Sequence, residues 1–97
     1  MNKSEWIRHH PCCIPNCEQT TRTEAAHVRT AANSGWACKP GDEFLIPLCG
    51  FHHTGEQHRV GHAETLENAG MGKFSKFDAK QWFLRQAERY ERLYTSI

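Results

Sequence analysis

Five cysteines and seven histidines in 97 residues are the part of this sequence that can do chemistry. They fall into two clusters. The first is Cys12-Cys13-Ile14-Pro15-Asn16-Cys17, and the second is Cys49-Gly50-Phe51-His52-His53, followed by His58. Two close ligand pairs separated by a spacer of about thirty residues follow the spacing grammar of a structural zinc site. Thiolate and imidazole together suit tetrahedral zinc, so the expected ligands are Cys12, Cys17, Cys49 and His52. Cys13 is the alternative to Cys12. Cys38 has no close partner and reads as a small buried hydrophobe. The opposing reading, buried thiols with no ion, fits these paired spacings poorly.

His52 and His53 are adjacent, and on an ideal helix adjacent side chains point about 100° apart. They therefore serve different ends. If His52 completes the zinc site, His53 faces elsewhere, and His27, His53 and His58 are left for other work. Histidine is the usual general base near neutral pH and a frequent metal ligand. Arg29, two residues beyond His27, shares a face with it in a strand and is suited to a phosphate oxygen. A solvated surface arginine accounts for it equally well, and the same holds for Arg59 and Lys39.

The elements that must position these groups are short. Glu24–Arg29 reads as a weak strand and Phe44–Cys49 as a buried one, with Pro47 demoting the latter to an edge. Residues 1–11 read as a polar lead with Trp6 and Ile7 as packing anchors, and residues 30–42 as a loop. A helix is expected from about Phe51, with a break at Gly55 and a further helical stretch over 61–68. Ser75-Lys76-Phe77-Asp78 has capping-box spacing with Asp in place of Glu. Ala79, Trp82, Phe83, Ala87, Tyr90 and Tyr94 then recur at helical spacing, which predicts a packing helix over residues 75–95.

Composition bounds the rest. Hydrophobic residues are 38% and the mean hydropathy is -0.73, so the core is lean. A single domain of this size with a lean core calls for a staple such as a metal. No apolar run approaches the roughly 20 residues of a membrane span. Ten aromatics and 24% charged residues do not fit a disordered chain. The net charge of +1 offers no global field for nucleic acid, so any such binding must be local. The first residues lack an apolar signal region, which leads to the expectation of a reducing cytoplasm, where cysteines bind metal more often than they pair.

The segments Ala25-Ala26-His27-Val28-Arg29 and Lys39-Pro40-Gly41-Asp42, leading into Phe44-Leu45-Ile46-Pro47-Leu48-Cys49-Gly50-Phe51-His52-His53, resemble the HNH, or ββα-metal, endonuclease family. The likeness is to small phage and prophage members related to the recombination enhancement function nuclease, and it covers about residues 9–70. It implies an α+β fold: a ββα-metal core with a structural zinc knuckle (12–70), followed by the packing helix. It implies a metal-dependent DNA endonuclease in a bacterial cytoplasm, with a recombination or packaging protein as a further partner and no membrane. In that frame His27 is the general base, Asp42 its orienting group, and Arg29 a phosphate contact. His53 and His58 hold a catalytic ion, Mg2+ or another divalent cation. Two positions depart from the family pattern. Ala26 stands where relatives place a metal ligand, and His53 to His58 is a spacing of five rather than four. His62, at i+4 from His58, is a rival ligand. The alternative function is a zinc-stapled nucleic-acid-binding module without catalysis.

Overall fold

In a computed structural model, residues 2–17, 23–29 and 41–96 are described, with the side chains of residues 54–60 left out. The fold is a small α+β arrangement. It comprises helix α1 (Lys3–Arg8), strand β1 (Glu24–His27), a 3-10 turn (Asp42–Phe44) and strand β2 (Leu45–Leu48). A π-helical turn (Phe51–Glu56), α2 (Gln57–Asn68) and α3 (Lys76–Thr95) follow.

The two strands pair antiparallel, with Glu24 opposite Leu48 and His27 opposite Leu45. Val28 donates its N–H to the Phe44 carbonyl at 2.9 Å, one step past the ladder. All four residues of β2 are buried. Pro47 is tolerated inside it because β2 has a ladder partner on one side only. On that strand its carbonyl accepts from the Cys13 N–H at 2.9 Å, which docks the N-terminal knuckle on the hairpin.

The polar lead folds as a helix. Asn2 caps it by accepting from the Glu5 N–H at 2.9 Å, and Ile7 is fully buried. Six residues are too few to show periodicity, so tertiary packing decides the matter. Trp6 lies against Tyr90, Tyr94 and His10. The buried Lys3 ammonium donates to Glu91 of α3 at 2.5 Å and to the Asp42 carbonyl at 2.8 Å. One cation thus ties α1, α3 and the 3-10 turn together, its desolvation offset by a carboxylate and a carbonyl.

The last helix follows its sequence pattern. Ser75 accepts from the Asp78 N–H at 3.0 Å, and Ala79, Phe83, Ala87 and Tyr90 are buried. They complete a core with Ile7, Ile14, Ala26, Val28, Leu45, Ile46, Leu48 and Leu66. Phe83 is wholly buried, worth roughly 1.5–3 kcal/mol of hydrophobic transfer.

The helix after β2 differs from expectation in two ways. Its first turn is π-helical, so ideal α-helical angles between His52, His53 and His58 do not apply. The backbone break falls at Gly61, with φ 87° and ψ 175°, not at Gly55. Glycine alone takes that conformation without steric cost. The break separates His58 from His62, so their i, i+4 spacing does not put them on one continuous helical face.

His62 instead packs its ring 4.6 Å from Phe83 of α3. Burial, reinforced by the nearby Lys80 charge, pushes its pKa down to about 4 from 6.5. The unfolded chain therefore binds more protons than the folded one between those values, and stability falls as pH drops through that window. Urea unfolding of the wild type should lose stability between pH 6.5 and 4, and the His62→Leu variant should lose less over the same range. Equal losses would remove His62 as a source of the acid lability.

Candidate metal centre and hairpin site

The N-terminal knuckle is a turn shaped by local chemistry. Asn16 adopts φ 66°, a left-handed conformation that Asn tolerates better than most residues, and Cys17 N–H reaches the Ile14 carbonyl at 3.2 Å. The Asn16 amide donates to the Ala69 carbonyl at 3.0 Å, fastening the knuckle to the end of α2. This turn lifts Cys12 and Cys17 toward one point. From the other side, Cys49 directly follows β2 and the π-helical turn brings His52 back over it.

The ligand atoms of Cys12, Cys17, Cys49 and His52 all lie within 4.8 Å of one another. The His52 Nδ1 is 3.2 Å from Cys49 Sγ and 3.5 Å from Cys12 Sγ, and Cys17 and Cys49 sulfurs are 3.9 Å apart. A tetrahedron built on zinc bond lengths has edges of roughly 3.8 Å between sulfurs and roughly 3.6 Å between sulfur and nitrogen. The cluster has that size, and its three-sulfur, one-nitrogen donor set suits a borderline-soft ion. Cys12 and Cys49 are buried, and none of Cys12, Cys13, Cys17 and Cys49 is in a disulfide. Burial pushes the metal-free Cys12 thiol up to about 12, so an ion that holds its thiolate must displace a tightly kept proton.

Cys13 is outside the cluster. Its N–H is committed to the Pro47 carbonyl, and burial raises its thiol pKa as it does that of Cys12. It is Cys12, not Cys13, whose sulfur joins the other three ligand atoms. Cys38 lies outside the described residues.

Two further pairs sit on the hairpin. His27 Nε2 is 3.8 Å from Asp42 Oδ1, an ion-pair distance that is too long for a hydrogen bond. The His27 side chain is 25% exposed and that of Asp42 is 70% exposed, so the pair opens to solvent. Asp42 reaches this place because the 3-10 turn precedes β2 directly and β2 pairs with the strand that carries His27. The second pair is His53 with Glu24. The ring Nδ1–H donates to the carboxylate at 2.6 Å, which orients the ring.

Glu24 is the functional candidate that sequence reasoning missed. Only the register, which sets Glu24 against Leu48 and so beside the turn after Cys49, reveals it. The two pairs stand at opposite ends of β1, with Glu24 and His27 roughly 10 Å apart at about 3.3 Å per residue. Arg29 is exposed just past the strand. The His58 side chain lies outside those described. His62, the rival ligand, faces α3 beside the cations Lys76 and Lys80, which disfavours a second cation there. Among the described residues, the Cys12–Cys17–Cys49–His52 cluster is the one group of three or more ligand-type side chains close enough to share an ion.

Comparisons with protein-family models, with curated proteins and with solved structures return no match.

The ligand assignment predicts a clean split between neighbours. Cobalt(II) added to the metal-free wild type should give thiolate charge-transfer absorption. Cys17→Ser or Cys49→Ser should weaken it and lower affinity by tenfold or more, while Cys13→Ser should leave the spectrum as it is. A loss in Cys13→Ser with retention in Cys17→Ser would reverse the assignment.

Proposed function

We propose that this chain is a small metal-dependent endonuclease of the HNH, ββα-metal type, hydrolysing DNA phosphodiester bonds with its fold stapled by one structural zinc. The observation that carries the reading is the His27–Asp42 pair at the end of a β-hairpin whose other strand runs into a Cys/His knuckle. The four-residue cluster would hold the zinc. Closing a loop from residue 12 to residue 52 removes chain entropy worth roughly 4 kcal/mol by the relation used for disulfides of that length. That is a large contribution for a domain with so lean a core.

The His27 ring takes a proton from the attacking water as the water oxygen bonds to phosphorus and the bond from phosphorus to the 3′-oxygen breaks. Asp42 lies close enough to stabilise the imidazolium that forms, once about 1 Å of movement brings it into hydrogen-bond range. Arg29, exposed beyond the strand, suits the non-bridging phosphate oxygens. A divalent ion would supply charge neutralisation on the phosphate and on the leaving 3′-oxygen. His53, its ring held by Glu24 at the other end of β1, is the described residue suited to hold a divalent ion, and the phosphate would have to lie between it and His27. His58 is the second ligand in this proposal.

A second reading, a zinc-stapled nucleic-acid-binding module, is favoured by one observation. Ala26 is a buried residue with no ligand atom beside His27, and the His53–Glu24 pair belongs to the far end of the strand.

Plasmid and single-stranded DNA with magnesium or manganese separate the two. The nuclease reading predicts nicking that EDTA stops, and a loss on the order of 100- to 10,000-fold in His27→Ala, the range for removing a general base. Full cleavage by His27→Ala would make the assigned base wrong. DNA binding by the zinc-loaded protein without added magnesium or manganese, and no nicking under either metal, would establish the binding module.

A further inference from the structure

Between the Gly61 break and the first turns of α3 lies a cleft of about 270 Å³, lined by Gly61, His62, Ala63, Lys76 and Lys80. The hairpin chemistry described above uses none of these residues. Lys76 and Lys80 stand at i and i+4 on α3, where two like charges repel each other. Among the described residues, neither makes an ion pair with a carboxylate. Lys80 is partly buried, and burial lowers its pKa, so the folded chain carries the cost of an uncompensated charge. His62 feels that charge as well, and its depressed pKa leaves the ring neutral at pH 7.

The cleft is also tied to the proposed active site. The Lys80 ammonium donates one of its three N–H groups to the Arg29 carbonyl at 2.5 Å. Arg29 is two residues beyond His27, roughly 7 Å along an extended chain. At Gly61 the cleft is open, since a Cβ built there would meet nothing within 4 Å. A concave site with two cations, no anion among the described residues that line it and an open floor has the chemistry of an oxyanion receptor.

We infer that this cleft is a phosphate subsite, in which Lys76 and Lys80 hold a backbone phosphodiester of the nucleic-acid strand that passes His27. The inference rests on the nucleic-acid reading above and adds a place where the strand is gripped away from the bond that is cut. A phosphate bridging the two ammonium groups turns their repulsion into attraction and compensates the buried charge on Lys80. Such a contact grips the strand regardless of base identity.

Binding of a short single-stranded DNA by the zinc-loaded protein, with no chelator and no added magnesium or manganese, at several salt concentrations tests this without requiring cleavage. Lys76→Gln and Lys80→Gln should each weaken binding about tenfold at low salt, and the double variant should reduce the salt slope by about 0.7, the value for one phosphate contact on a single strand. Lys73→Gln, which removes an exposed charge outside the cleft, should stay near wild type. In NMR titrations the His62 ring signals should move with the DNA, and they should move less with inorganic phosphate at equal phosphate concentration.

Affinity in both cleft variants and slope in the double variant equal to those of Lys73→Gln would overturn the subsite. So would His62 signals that respond to inorganic phosphate and not to DNA, which would mark a site for the free anion. Thermal melts guard the comparison. If Lys80→Gln does not fold, Lys76→Gln carries the test, since the Lys76 side chain is exposed. A wild type that binds DNA through the cleft and nicks nothing removes the nuclease reading and keeps the subsite. Unchanged binding in the cleft variants, beside lost cleavage in His27→Ala, does the reverse. A wild type that binds no DNA overturns both.

Discussion

The approach of three thiols and one imidazole to a single point is the constraint on which this structure depends. Cys12 and Cys17 come from a turn before the sheet, Cys49 from the end of β2, and His52 from the turn that follows. Pulling these four together fixes where the hairpin lies against the N-terminal knuckle. It also fixes where the chain leaves the hairpin to begin α2. Without an ion, three sulfurs and a ring nitrogen sit in a partly buried space where burial drives Cys12 toward its neutral form. With an ion, the same donors become thiolates and their closeness is an advantage.

Everything else in the fold acts on the position of the hairpin. The Lys3 ammonium reaches across to Glu91 and to the carbonyl of Asp42, so the turn that carries Asp42 is held by a residue near the start of the chain. Tyr90 and Tyr94 of α3 pack on Trp6 and hold α1 in place from the other side. Thr23, buried just before β1, shares its hydroxyl proton between the carbonyls of Arg8 and His10 at 3.0 and 2.7 Å. A polar group buried at that point is tolerated because it is bonded, and it sets the direction in which β1 starts. The His27–Asp42 and His53–Glu24 pairs are thus the exposed ends of a braced frame, with the braces made from α1 and α3.

The sequence revealed the parts whose signals are local. Ligand spacing marked Cys12, Cys17, Cys49 and His52, because a metal site imposes chemistry on short stretches of chain. The capping serine and the aromatic stripe marked α3, because a helix of that length displays its period several times over. What sequence could not show depended on distance or on backbone detail. Glu24 is 29 residues from His53, and only strand register brings them together. Which of Cys12 and Cys13 joins the cluster depended on where the turn places each sulfur, which adjacent identical residues do not reveal. The helix α1 is too short to announce itself. The break at Gly61 rather than Gly55 is a matter of dihedral angles, since both residues are glycine and sequence treats them alike.

Whether these four side chains hold one zinc ion is read by X-ray absorption at the zinc edge of the purified protein. The account predicts one zinc per chain with three sulfurs at about 2.3 Å and one nitrogen at about 2.0 Å in its coordination shell. A shell of nitrogen and oxygen alone, or a folded protein that carries no metal, would contradict it.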